Sequence, residues 1–134
     1  MAADSFNAVL NLKYTPPGAP ANSGVAALTV AGTYQAGQSG TTDVQPGTNV
    51  GTVFAIPFGS ISAAKLVVIR NNTSAEISVK LNGSSPVNFN LPAGGEFVYS
   101  APTAPQANPM TSLSFLTTVD PTEIERVQWW VFGD

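Results

Sequence analysis

Residues Lys65–Ser100 read KLVVIRNNTSAEISVKLNGSSPVNFNLPAGGEFVYS. Four apolar or alternating runs are separated by NNTS, NGSS and PAGG. Leu66 to Ile69 is a continuous apolar run, which predicts a strand covered on both faces. Arg70-Asn71-Asn72-Thr73 ends it in turn residues. Glu76 to Leu81 alternates, with Ile77, Val79 and Leu81 on the inward face and Glu76, Ser78 and Lys80 toward water. Asn82-Gly83 is a strong short-hairpin signal, because a type I′ turn needs positive φ at both central residues. Val87, Phe89 and Leu91 alternate in turn with Asn88 and Asn90. After Pro92-Ala93-Gly94-Gly95, Phe97 and Tyr99 mark the inward face of the next strand. The stretch is a β-meander and carries no plausible catalytic group.

The same reading extends outward. Phe6 to Tyr14 is rich in strand formers and stops at Pro16-Pro17-Gly18. Val25 to Tyr34 places Leu28 and Val30 on one face and Thr29 on the other, and reads as a strand. Gln35 to Asn49 reads as a long polar loop with a short pairing around Thr42–Val44, of the kind that reaches a neighbouring subunit. In Val50 to Phe58, Phe54, Ile56 and Phe58 share a face. Pro57 lacks a donor and places that strand at a sheet edge or ends its pairing there. Ala101 to Pro109 holds three prolines and reads as a loop. Leu113 to Val119 is a further strand. Asp120-Pro121-Thr122-Glu123 has the pattern of a one-turn helix start. Val127 to Phe132 is the final strand. About eight or nine strands with almost no helix predict an all-β, antiparallel two-sheet β-sandwich, as a jelly roll with long Pro/Gly-rich loops. The 134 residues suit a single domain, 1–134, with 1–14 as an N-terminal strand or arm.

Composition narrows function by exclusion. Charged residues are 10% of the chain, the net charge is −3, and only Lys13, Lys65, Arg70, Lys80 and Arg126 are basic. Five dispersed cations cannot neutralise many phosphates, so neither nucleic acid nor an anionic membrane is an expected partner. A neutral Ser/Thr/Asn/Gln surface repels neighbouring chains weakly. With no Cys and no His, the chain lacks thiolate metal sites, Cys nucleophiles and the commonest general base. The N-terminus has no basic segment followed by an apolar one, which predicts cytoplasmic synthesis without a secretory signal. The acids are Asp4, Asp43, Glu76, Glu96, Asp120, Glu123, Glu125 and Asp134. No two can be assigned to one cleft, as a glycosidase requires, so they read as solvated or ion-paired. Asp43 with loop carbonyls is too sparse a donor set for calcium. We expect no catalytic residue, no metal site and no cofactor.

Trp129 and Trp130 are adjacent in a strand and must point to opposite faces. One enters the core. The other packs on a loop, meets a partner protein, or stacks on a sugar.

The order VAGTYQAGQSGTTDVQPGT, FAIPFGSI, KLVVIRNNTSAEISVKLNGSSP, LPAGGEFVYS and terminal WWVFGD resembles small all-β virion proteins of tailed bacteriophages. The telling part is an apolar strand running into I-[KR]-N, a hairpin ending L-N-G, then L-P-x-G-G. Jelly-roll capsid cement or decoration proteins are the nearest class within it. The resemblance implies a structural, non-enzymatic virion protein, made in the host bacterial cytoplasm. It would bind and stabilise the assembled capsid through the major capsid protein or another virion protein, as a homo-oligomer, a dimer or trimer. The candidate interface residues are Phe6, Leu10, Tyr14, Asp43, Trp130 and Phe132, with loops 16–23, 36–49 and 101–109. The alternative is a tail-associated host-recognition or carbohydrate-binding β-module.

Overall fold

The computed structural model describes residues 4–14, 17–21, 24–83, 87–102 and 109–134, and of residues 12–14 and 25 the backbone alone. Its regular elements are ten strands: β1 (Asp4–Tyr14), β2 (Gly24–Tyr34), β3 (Ala36–Val44), β4 (Val53–Ala55), β5 (Ala64–Asn72), β6 (Ile77–Leu81), β7 (Phe89–Leu91), β8 (Glu96–Ser100), β9 (Leu113–Thr117) and β10 (Glu125–Gly133).

Eight of them form two four-stranded sheets, in the orders β3-β10-β5-β8 and β4-β9-β6-β7, and every pairing is antiparallel. From β3 onward each connection crosses to the opposite sheet, except the one between β6 and β7. This is the strand order of a double-sheet jelly roll. Strands far apart in the chain become neighbours: Glu125 of β10 lies opposite Val44 of β3. β1 and β2 make a separate two-stranded ribbon ahead of the sandwich.

The core is the inward face of both sheets. β10 contributes Val127, Trp129 and Val131, β5 contributes Val67 and Ile69, β6 contributes Ile77 and Val79, and β9 contributes Leu113 and Phe115, all buried. The Phe54 and Phe115 rings stack at 5.1 Å. β5 is central, and its apolar run is buried through Leu66, Val67 and Ile69, with Val68 half-buried. β4 lies at a sheet edge and its pairing ends at Ala55, before Pro57.

Three expectations need correction. Residues 36–44 form strand β3 rather than a loop. Two of its glycines leave room for large rings beside them. A Cβ at Gly37 would lie 2.7 Å from Phe132 Cδ1, and one at Gly40 would lie 3.1 Å from Trp129 Cζ2. Second, Asn82 and Gly83 do adopt positive φ, 53° and 67°. Yet β6 and β7 pair in the register Ile77↔Leu91 and Val79↔Phe89, so the connection is longer than a two-residue hairpin. Third, Asp120 to Glu123 is not helical. The Asp120 carboxylate accepts from Gly47 N at 2.8 Å instead of capping a helix.

Candidate functional site

The ribbon's register sorts its residues into two faces. Cross-strand partners share a face. Phe6↔Gly32, Ala8↔Val30 and Leu10↔Leu28 therefore line one side, which is apolar. Asn7↔Ala31, Val9↔Thr29 and Asn11↔Ala27 line the other, which is mixed. At its base the ribbon is anchored. The Phe6 ring lies 6.2 Å from that of Phe132, and Tyr34 lies 4.9 Å from Phe132. Lys65 Nζ donates to Thr33 O at 2.9 Å and pairs with Asp134 Oδ2 at 2.6 Å. Farther out the cover ends: Leu10 is 54% exposed and Leu28 60%.

The apolar side of the ribbon looks toward the outer face of the β3-β10-β5-β8 sheet. That face is laid out in rows by the registers. Gly37, Phe132, Leu66 and Ser100 form the row under the ribbon's base. Ser39, Trp130, Val68 and Val98 form the next, and Thr41, Gln128, Arg70 and Glu96 the third. Between ribbon and sheet lies a cleft of about 360 Å³. Ala8, Leu10, Leu28 and Val30 form one wall, and Val68 and Val98 with Ser100 and Glu96 form the other. Val98 is 45% exposed. Two ion pairs stand on the sheet beyond its apolar rows, Arg70–Glu96 at 3.2 Å and Arg126–Asp43 at 3.0 Å. Both are exposed, so they add little stability. Their effect is to cancel charge around the apolar rows.

The expected interface residues separate into distinct roles. Leu10 is exposed on the ribbon. Trp130 is half-buried on the outer face while Trp129 enters the core, so the pair divides as strand geometry requires. Phe6 and Phe132 are not free surface. Phe6 is 8% exposed, and the two rings cover each other as the ribbon's anchor. Asp43 is held by Arg126. Tyr14 pairs with Gly24 along the backbone, and its side chain lies outside the described residues. Parts of the loops at 16–23 and 101–109 also lie outside them. The sequence reading missed Leu28, Val68 and Val98 as surface. Their period-two pattern announces an apolar face but not whether anything covers it.

A second, shallower recess of about 260 Å³ lies on the other side of the ribbon's base, lined by Asp4, Tyr34, Gln35, Gln38, Ser39 and Phe132. Dispersed aromatic residues thus come together: Phe6, Tyr34 and Phe132 form one ring cluster.

Most acids have structural partners. Besides the ion pairs, Glu125 Oε1 accepts from Ser74 N at 3.1 Å and Glu76 Oε1 from Asn90 Nδ2 at 3.2 Å. Among the described residues no three Asp or Glu side chains gather into a metal-binding group.

The motif residues of the meander are structural as well. Asn71 of IRN is fully buried, and its amide donates to the carbonyls of Ala75, Leu91 and Pro92 at 2.8, 3.0 and 3.0 Å. Asn82 of LNG accepts from Thr111 N at 2.7 Å and donates to Pro109 O at 3.1 Å.

Compared with protein-family models, with curated proteins and with solved structures, the chain matches none.

Proposed function

We propose that the protein is a non-catalytic structural subunit that docks on an assembled protein surface through its ribbon and the adjoining outer face of the sheet. The observation that carries this reading is the ribbon's apolar face, with Leu10 and Leu28 more than half exposed. A two-stranded ribbon is marginal in water by itself, and an uncovered apolar face of this kind favours a protein partner. The absence of His and Cys, the 10% charge content and the structural use of most acids all favour binding over chemistry.

The specific form of the proposal is capsid cement. A jelly roll presenting apolar docking elements and a neutral surface suits a phage decoration protein that bridges capsid subunits. The partner is then the major capsid protein encoded with it. The test is co-sedimentation with shells assembled from that capsid protein. The wild-type chain should pellet with shells, and Leu28→Glu and Trp130→Ala should pellet far less while remaining folded. A folded wild-type chain left wholly in the supernatant overturns the capsid form.

The recess beside Tyr34 favours a second reading, a glycan-binding module. It sets aromatic rings next to Asp4, Gln35 and Gln38, groups that hydrogen-bond sugar hydroxyls. Glycan-array binding lost in Tyr34→Ala and kept in Leu28→Glu would select it.

A further inference from the structure

We infer that the free edge of β3 accepts an extended segment of a partner protein, which adds as a further strand and seats a Lys or Arg side chain in the recess beside Asp4. This surface is separate from the cleft, which lies against β5 and β8 on the other side of the sheet.

Three observations carry it. First, hydrogen-bond parity leaves one edge of β3 unpaired. Ala101 N donates to Lys65 O at 2.8 Å and Asn71 N to Gly95 O at 2.9 Å, so the odd-numbered residues of β5 bond toward β8. In an antiparallel sheet successive residues bond to opposite sides. The even-numbered residues of β5 therefore bond β10, in pairs such as Trp130↔Val68. The odd-numbered residues of β10 then bond β3, in pairs such as Trp129↔Gly40. Left over on β3 are Gly37, Ser39, Thr41 and Asp43, whose N–H and C=O groups point away from the sheet. All are exposed, and among the described residues no hydrogen bond reaches their backbone.

Second, this edge carries no device against pairing. With 9 residues, β3 is the longest edge of the two four-stranded sheets, against 5 in β8 and 3 each in β4 and β7. Native edges are blunted by Pro, Lys, bulges or short length. β3 has no Pro, Lys or Arg, and its register with β10 runs unbroken from Ala36 to Val44.

Third, a side-chain pocket adjoins the edge. Strand addition draws affinity from the main chain and specificity from such pockets. The recess of about 260 Å³ is walled in part by Gly37, Gln38 and Ser39 of β3. Asp4 supplies a carboxylate there, with Gln35 beside it. No cation among the described residues pairs with Asp4, so the side chain of complementary charge is Lys or Arg.

The experiment pans a displayed library of random peptides, about nine residues long, on the purified full chain and titrates the enriched peptides by fluorescence anisotropy. Those peptides should lack central Pro and hold Lys or Arg at one fixed position. N-methylation of alternate amides should weaken binding at least about tenfold, and N-methylation of the intervening amides should not, because only one set faces β3. Thr41→Pro removes an outward N–H and no bond to β10, a position where an edge strand accepts Pro. It should stay folded by far-UV circular dichroism and lose the peptide. The N-methyl comparison needs only the wild type, so it decides the case even where Thr41→Pro does not fold. Asp4→Asn should weaken the basic peptide about threefold and leave its Gln version unchanged. A library that yields no binder overturns the inference, as does binding indifferent to the N-methyl register. Basic peptide bound equally by Asp4→Asn overturns the seat in the recess. Glycan binding without peptide binding overturns the inference and leaves the glycan reading standing. Shell co-sedimentation reads the cleft separately: a chain that binds peptides and ignores shells overturns the capsid form and leaves the edge site standing.

Discussion

Asn71 shows how one polar residue can hold two loops of a jelly roll. Its amide reaches carbonyls on both sides, at Ala75 and at Leu91 and Pro92, while its Oδ1 accepts from Thr73 N at 3.0 Å and Thr73 Oγ1 at 2.7 Å. Its backbone adds bonds with Gly94 and Gly95. The IRN and LPAGG segments therefore form one tied corner. Asn71→Ala removes the side-chain bonds and leaves buried carbonyls without donors. At roughly 0.5–1 kcal/mol for each of the five bonds, we expect a loss of about 3–5 kcal/mol, read as a lower urea midpoint at unchanged m-value. Thr117 is the converse case. Its Oγ1 is buried without a hydrogen-bond partner among the described residues. Thr117→Val keeps the shape, removes the unpaired hydroxyl, and suits a strand. It should raise stability by about 1 kcal/mol in the same urea titration, and an unchanged or lower midpoint would show that the hydroxyl is satisfied.

The elements divide into those legible from period two and those that are not. Glu76 to Leu81 shows the alternation that a half-buried strand needs, and Ile77 and Val79 are buried in strand β6. β3 hides because its side chains answer to neighbours remote in sequence. Gly37 faces Phe132 and Gly40 faces Trp129 across registers that join residues about ninety positions apart, so a glycine selected by a ring looks like a glycine selected by a turn. The ribbon hides differently. Alternation in Phe6 to Tyr14 and in Val25 to Tyr34 announces a strand with two faces, but burial depends on what lies opposite. Phe6 and Leu10 share a face, yet one is sealed by Phe132 and the other lies open to the cleft. That difference makes Phe132 the hinge pin of the element. Phe132→Ala should free the ribbon while sparing the sandwich, because Phe132 points away from the core that Val131 and Trp129 fill. Amide hydrogen exchange should then speed up across β1 and β2 and stay slow in β5 and β9. Equal acceleration in all four strands would show that the ring supports the sandwich itself.

At the scale of the whole molecule, Leu10, Leu28 and Val98 gather exposed apolar surface around the cleft, while Val50, Val53, Val119 and Ile124 are exposed outside it. The chain has a net charge of −3, and the ions bordering the apolar rows are paired within it. Docking through the Leu10, Leu28, Val68 and Val98 surface is therefore driven by removing apolar area from water, with little steering by charge. Two dependences follow. Salt screens exposed charges over about 10 Å at about 0.1 M, so a charge-driven contact loses affinity steeply as salt rises. Here the association constant should change by less than about threefold between about 50 and about 500 mM sodium chloride. Apolar burial also carries a negative heat-capacity change and weakens on cooling. A contact made by the cleft should therefore show a clearly negative heat-capacity change. Titration calorimetry of the intact chain into assembled shells at several temperatures, with a salt series beside it, reads both quantities. A steep fall of affinity with salt, together with a heat-capacity change near zero, would move the contact off the cleft and onto the ion-paired margin at Arg70–Glu96 and Arg126–Asp43. Those four side chains would then have to break their internal pairs in order to bind.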